Sequence, residues 1–267
     1  MAVDIYKFKQ IGCDTERLLG QYPTPSSLDF EPSAGLMEID QCLIECARAW
    51  GRPFGYEQEQ GGAIVQNIFP IKKRENEQIS SSSKKELEMH TETAFHPWLP
   101  QYVFLLCLRG DEMAGTTFVD LDDLLLALSS DEIQLLHKPI FETSIDPSFL
   151  GEKQQDAKVR MPILYNNGSS IRYDRNLMTS SDPDGQELLK HLAVLVDSLK
   201  VTVFLQAGDL AVIHNWRTIH GRTPFTPRYD GSDRWLKRVF VRRSMPPATD
   251  ARIDDDNDIY VINTVIG

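Results

Sequence analysis

Val201-Thr202-Val203-Phe204-Leu205-Gln206, then Ala207-Gly208-Asp209, then Leu210-Ala211-Val212-Ile213-His214 is the stretch that decides the fold. Two apolar, β-branched runs flank a turn tripeptide, which reads as a strand, a turn and a returning strand. Working outward, Trp235 to Arg242 is a further strand, and Thr116 to Val119 another. Tyr102 to Leu108 is an almost unbroken apolar run, as expected of a strand covered on both faces. Ala63 to Phe69 is extended and stopped by Pro70, and Leu87 to Phe95 is a short segment holding His90 and Glu92. Helices lie between and around these strands. Leu36, Ile39, Leu43, Ala47 and Trp50 recur at helical spacing before Gly51 and Pro53. Leu121 to Leu128 and Asp131 to His137 are helical, the second opened by Ser129 and Glu132 in capping-box spacing. Asp182-Pro183 opens a helix running to Leu199, with proline in its first turn. There is no internal repeat. This pattern predicts a mainly β fold, a double-sheet jelly roll with flanking helices.

The length of 267 residues and the 41% hydrophobic content suit one sizeable core, so residues 1–267 read as a single domain. A formal net charge of −11 argues against nucleic acid and anionic membrane surfaces as partners, while leaving room for a local basic pocket. No apolar run approaches a bilayer span, and the start lacks the layout of a secretory signal. With Cys13, Cys42, Cys46 and Cys107 read as reduced, mostly buried thiols, the expected location is cytoplasmic. Residues 71–86 are charged and then serine-rich (Ser80 to Ser83), with no apolar face. They read as a solvated loop, either plain surface or a mobile active-site lid.

His90-Thr91-Glu92 puts an imidazole and a carboxylate two residues apart, on one face if the segment is a strand. One further histidine completes a two-His, one-carboxylate face with open positions, the arrangement of non-haem Fe(II) oxygenases. His214 and His220 are the candidates for it; His137 and His191 fall on helices, and His96 follows a bend toward Pro97. The segment after His220 favours His220. It leads to Arg234 and Arg238, four apart on a strand, and a 2-oxo diacid needs a cationic fork at the end remote from the metal.

These blocks resemble the clavaminate synthase-like branch of the TauD-type Fe(II)/2-oxoglutarate dioxygenases, most of all the hydroxylases of free amino acids such as arginine and asparagine. The matching residues are His90-Thr91-Glu92-Thr93-Ala94-Phe95-His96-Pro97, Gly208-Asp209-Leu210, Asn215 to Phe225 and Asp233 to Val239. The likeness runs from the Leu36 helix to Arg243. It implies a double-stranded β-helix fold, with iron on His90, Glu92 and His220, and with 2-oxoglutarate and O2 as co-substrates. Arg234 takes the distal carboxylate of 2-oxoglutarate, assisted by a threonine; Thr117 fits best and Thr116 is its rival. Arg238 holds the substrate's α-carboxylate, and Glu59 or Gln60 its α-amino group. Ser81, from the serine run, is another substrate contact. Asp174 meets the substrate side chain, which suits a nitrogen-bearing donor, while Arg172 beside it weakens an arginine substrate.

The implied reaction is hydroxylation at Cβ or Cγ of a free L-amino acid in natural-product biosynthesis, coupled to conversion of 2-oxoglutarate to succinate and CO2. Desaturation, or action on a modified or carrier-bound amino acid, is the neighbouring alternative. A zinc hydrolase on the same ligands needs a nearby general base and no cationic forks. A non-catalytic jelly-roll binding protein predicts no consumption of 2-oxoglutarate. The complete triad and Arg234 argue against both.

Overall fold

In the computed structural model, which describes residues 3–8, 19–146, 149, 157–247, 250–254 and 259–263, the strand Tyr102–Arg109 divides two apolar layers. Val103, Leu105 and Cys107 enter one core cluster, and Tyr102, Phe104, Leu106 and Leu108 enter another. Successive side chains leave opposite faces of a strand, so a run apolar at every position must be covered on both sides.

In chain order the elements are β1 (Val3–Lys7), α1 (Ala34–Arg48), β2 (Arg52–Tyr56), β3 (Val65–Ile68), β4 (Leu87–His90), β5 (Tyr102–Arg109) and β6 (Thr116–Asp120). Then come α2 (Leu121–Ala127), α3 (Ser130–Leu136), β7 (Phe141–Ser144), β8 (Lys158–Met161), β9 (Leu164–Tyr165), β10 (Ser170–Ile171), β11 (Met178–Ser180) and α4 (Pro183–Leu199). The chain continues with β12 (Val201–Val203), β13 (Asp209–His214), β14 (Thr218–Arg222), β15 (Trp235–Arg242), β16 (Ala251–Asp254) and β17 (Ile259–Ile262). An eight-stranded sheet runs β1-β13-β5-β15-β2-β17-β16, with β3 also paired to β15. A four-stranded sheet runs β12-β6-β14-β4.

The outer face of the large sheet is covered by α1, whose Leu36, Ile39, Leu43 and Ala47 pack with Phe104, Val212 and Val239. Each buried leucine or isoleucine among them contributes about 1.5–3 kcal/mol over leaving it in water. The helix starts where Ser33 accepts the Leu36 N–H, satisfying one of the free donors of the first turn. The outer face of the small sheet (Met89, Val119, Ile219) is covered by Leu121 and Leu124 of α2 and by Leu188, Leu192 and Val196 of α4. The two inner faces enclose a cavity, with Val103, Leu105 and Leu236 on one side and Thr116, His90 and His220 on the other.

The long predicted elements are present: α1, the capping box of Ser129 and Glu132, α4 behind Asp182, and β5, β13 and β15. Three expectations need correction. The short segment Leu87 to Phe95 is a strand only as far as His90, because the chain turns immediately afterwards, so Glu92 does not share a strand face with it. The run Val201 to Gln206 is a strand only to Val203. Residues 71–86 are more than a solvated loop: the Ile71 N–H donates to the Ser81 carbonyl, and Ser81, Ser82 and Ser83 are buried. Cys107 is buried and Cys42 and Cys46 are half-buried; Cys13 lies outside the described residues. No helix among the described residues is long and apolar enough to cross a membrane.

Candidate active site

In the antiparallel pairing of β4 and β14, His90 lies directly opposite His220. Opposed residues of a ladder have side chains within contact reach, and the two imidazoles stand 4.6 Å apart, centroid to centroid. Gly221 lets the strands come this close: a Cβ there would lie 2.5 Å from the Leu87 carbonyl oxygen.

Glu92 is placed by a turn, not by strand alternation. Its backbone N–H donates to Asn215 Oδ1 (2.8 Å), and Asn215 Nδ2 donates back to its carbonyl (3.2 Å) and to the Pro100 carbonyl (2.9 Å). Asn215 is wholly buried, so this clamp is shielded from water. Thr93 follows with φ 47°, a backbone conformation costly for a β-branched residue. Its hydroxyl sits 3.1 Å from that of Tyr56, which donates to the Trp98 carbonyl.

His90, Glu92 and His220 thereby offer three ligand atoms within 4.8 Å of one another, with His220 Nε2 3.5 Å from Glu92 Oε2. A first-row metal meets such donors at roughly 2.0–2.2 Å, so three on one face lie about 3 Å apart. His90 Nδ1 lies 2.7 Å from the Glu88 carbonyl oxygen, which keeps the proton there and leaves Nε2 to ligate. No further ligand joins the three among the described residues, so one face stays open, as Fe(II) oxygen chemistry requires. Burial pushes the Glu92 carboxyl up, but Arg238, His220 and His90 outweigh it and hold it well below the usual range. Burial and then His90 hold His220 below the ordinary imidazole value. Ionised carboxylate and neutral imidazole are the forms that bind a metal.

The cavity in front of this group has a volume of about 680 Å³. Arg234 lines it, 7% exposed, and makes a single hydrogen bond, from Nη2 to Thr116 Oγ1 (3.3 Å). Arg238 projects from β15 and is fully engaged. Nη1 donates to Glu92 Oε1 (3.0 Å), Nη2 to Glu59 Oε2 (2.7 Å) and Nε to Gln66 Oε1 (2.8 Å). Burial, opposed by Arg238, raises the Glu59 carboxyl to about 6.

Of the paired candidates, Thr116 faces the cavity. Thr117 points to the other side of the strand, where its hydroxyl meets Met89 Sδ at 3.2 Å. Glu59 reaches Arg238, whereas the Gln60 amide bonds both backbone groups of Asn67. Ser81 lines the cavity. Asp174 lines it as well, next to His90, because Tyr173 to Arg175 run alongside Met89 to Thr91. Asp174 Oδ1 accepts from the Asn176 and Leu177 N–H groups, and burial holds its carboxyl above the ordinary value. Arg172 lies away from the cavity with its guanidinium over the Tyr165 ring (4.8 Å), which removes its weight against an arginine substrate. His214 sits instead against Tyr102, 4.9 Å centroid to centroid, and His191 pairs with Glu132. Asn215, Gln66 and Arg222 were not singled out from sequence. Asn215 and Arg222 flank His220 in the quoted block, which is the signal that marks them; nothing in the sequence marks Gln66.

Two histidines and a carboxylate on one open face, beside an arginine with no acidic partner among the described residues, define the class of non-haem iron and 2-oxoglutarate dioxygenases. The chain belongs to the TauD/TfdA family: residues 40–240 match the model described as "Taurine catabolism dioxygenase TauD, TfdA family". It is 37% identical to the L-lysine 3-hydroxylase of Catenulispora acidiphila over 82% of its own length and 63% of that protein's. It is 36% identical to the L-asparagine oxygenase of Streptomyces coelicolor, over 86% and 71% respectively. The non-haem iron oxygenase OrfP, solved with Fe, succinate and (3S)-hydroxy-L-Arg, superposes with a TM-score of 0.84 at 30% identity, over 98% of this chain and 82% of that one.

Proposed function

We propose that the protein hydroxylates a free L-amino acid with a cationic, nitrogen-bearing side chain, at Cβ or Cγ, in the making of a modified amino acid for a natural product. In this reading the facing sheets form the double-stranded β-helix, and His90, Glu92 and His220 hold iron. When bound, iron supplies the oxidation by which O2 and 2-oxoglutarate, converted to succinate and CO2, turn a C–H bond into an alcohol. The observation that carries the reading is the meeting, in one cavity, of a three-ligand face with two differently committed arginines. Arg234 uses one of its donors on protein and offers the rest to the distal carboxylate of 2-oxoglutarate, with the Thr116 hydroxyl beside it. Arg238 is held by Glu59 and Gln66. An incoming α-carboxylate takes the place of Glu59 on Arg238, and the freed carboxylate meets the α-ammonium group.

Asp174, beside His90, puts a buried carboxylate on the cavity lining, which favours a nitrogen-bearing donor on the substrate side chain. Asp174 Oδ1 is committed to two backbone N–H groups, so its other oxygen is the one free to receive a donor from substrate.

The test is succinate formation by anaerobically Fe(II)-loaded protein given 2-oxoglutarate, O2 and, one at a time, each proteinogenic L-amino acid and L-ornithine, with His220→Ala as control. Lysine, ornithine or arginine should stimulate succinate release and gain one oxygen in mass. No succinate from the iron-loaded protein overturns the oxygenase reading. Succinate without stimulation by any free amino acid overturns the substrate.

A further inference from the structure

Arg222 lies two residues past His220, on the cavity face of β14, and is 3% exposed. Among the described residues no carboxylate lies within ion-pair distance of it, and its fork is spent on the 71–86 segment and the adjoining turn. Nη1 donates to the Ser83 carbonyl (3.2 Å) and the Thr223 carbonyl (2.8 Å). Nη2 donates to Ser82 Oγ (2.9 Å) and the Lys85 carbonyl (3.2 Å), while Nε is buried without a partner. Thr116 stands directly across the ladder from Arg222, and its hydroxyl is the one that receives Arg234. Two buried guanidiniums thus share one wall around a single threonine, neither facing an acid. Each costs free energy to keep charged there, and each repels the other. An anion brought to Arg234 relieves both.

We propose that Arg222 is a positioning residue that couples the 71–86 segment to the co-substrate: the distal carboxylate at Arg234 steadies the Arg222 charge, and Arg222 in turn docks the segment. That segment forms the amino acid side of the cavity through Arg74, Gln78, Ile79 and Ser81. Binding of 2-oxoglutarate therefore firms the wall against which the amino acid packs, and by reciprocity the docked segment tightens 2-oxoglutarate. The segment has contacts independent of Arg222, such as the Lys84–Glu75 pair (2.8 Å), the Lys200–Glu86 pair (3.0 Å) and the bond from the Ile71 N–H to the Ser81 carbonyl.

The inference rests on 2-oxoglutarate being the co-substrate, and the experiment separates the two. Hydrogen exchange across 79–86 is followed in anaerobic Fe(II)-loaded protein with no acid, with 2-oxoglutarate, or with 2-oxobutyrate, which chelates alike but has no distal carboxylate. Visible absorption of the Fe(II)–2-oxo acid chelate reports binding independently. In the native protein 2-oxoglutarate should slow exchange in the segment several-fold and 2-oxobutyrate should not. In Arg222→Gln that increment should vanish, and the 2-oxoglutarate Kd should rise roughly 5- to 20-fold, within the usual range of coupling energies. Ser82→Ala, which removes one bond of the fork and is milder for folding, should lose part of the increment. Equal slowing by both acids, or an undiminished increment in Ser82→Ala and Arg222→Gln, overturns the role of Arg222. If 2-oxoglutarate produces no chelate band in the native protein, the co-substrate reading falls and this inference with it.

Discussion

At the metal end of the cavity the side chains come from strands, or from a turn clamped to strands. His90 and His220 oppose each other across a ladder, Arg234 sits at the foot of β15, and Glu92 is gripped by Asn215. At the end proposed for the amino acid they come from connections. Glu59 lies between β2 and a short turn, Ser81 in the 71–86 segment, and Asp146 and Asp174 beyond β7 and β10. Residues fixed by ladders are held to tight tolerances, which a metal and a chelating co-substrate need. Connections vary in length and chemistry without disturbing the sheets, which lets one scaffold accept different amino acids. The two ends should therefore fail differently when cut.

The largest failure belongs to the metal end. His220→Ala removes one of the three proposed ligands and should abolish iron retention and bring succinate formation to background, measured by iron content after desalting. Arg234→Ala comes next. It leaves iron bound but takes away the counter-charge of a buried carboxylate, a loss of roughly 2–4 kcal/mol, about 30- to 1000-fold in 2-oxoglutarate affinity. Titration of the chelate absorption measures it. If Arg234→Ala leaves that affinity intact, the division of the cavity into two ends is wrong.

The contrast also governs what could be read from sequence. Strands announce themselves by apolar runs, so β5, β13 and β15, and with them Arg238, were legible. His90 and His220 were legible because each sits in a strongly patterned block. Glu92 does lie beside His90, but not by the strand alternation that suggested it: the turn that places it is set by a buried amide 123 positions away, which no local period reports. The serine run looked solvated because it has no apolar face, yet Arg222 buries it through hydrogen bonds from the other side of the cavity. The short strands β7 to β11 carry too few residues to show a period, and they form the ground on which Asp174 stands.

Smaller effects test the joint between the two ends. Asn215→Ala should lower iron affinity about 10- to 100-fold, as removal of supporting contacts around a metal ligand does, while all three ligands remain. The variant should also lose roughly 1–3 kcal/mol of stability from the unpaired carbonyls of Glu92 and Pro100, seen in denaturant titration. Asp174→Asn should leave iron and 2-oxoglutarate binding unchanged and raise the amino acid KM about tenfold, for loss of one charge partner. An unchanged KM together with a changed iron affinity would move Asp174 from the substrate end to the metal end.

The finest distinction is between two adjacent threonines. Thr116 and Thr117 are both buried on β6, and sequence favoured Thr117. Strand alternation puts them on opposite faces: Thr116 across from Arg222 and in the cavity, Thr117 across from Gly221 and against Met89 in the outer core. Replacing threonine by valine keeps the shape and deletes the hydroxyl, so each variant reports one hydrogen bond. Thr116→Val removes an acceptor from Arg234 and should raise the 2-oxoglutarate KM about 3- to 10-fold, the worth of one long hydrogen bond of roughly 1 kcal/mol. Thr117→Val exchanges a hydroxyl facing a thioether for a methyl group in an apolar core. It should leave KM unchanged and alter stability by less than about 1 kcal/mol in either direction. The reverse pattern would mean that β6 presents its other face to the cavity, and His220, opposite Phe118 in the same ladder, would have to turn with it.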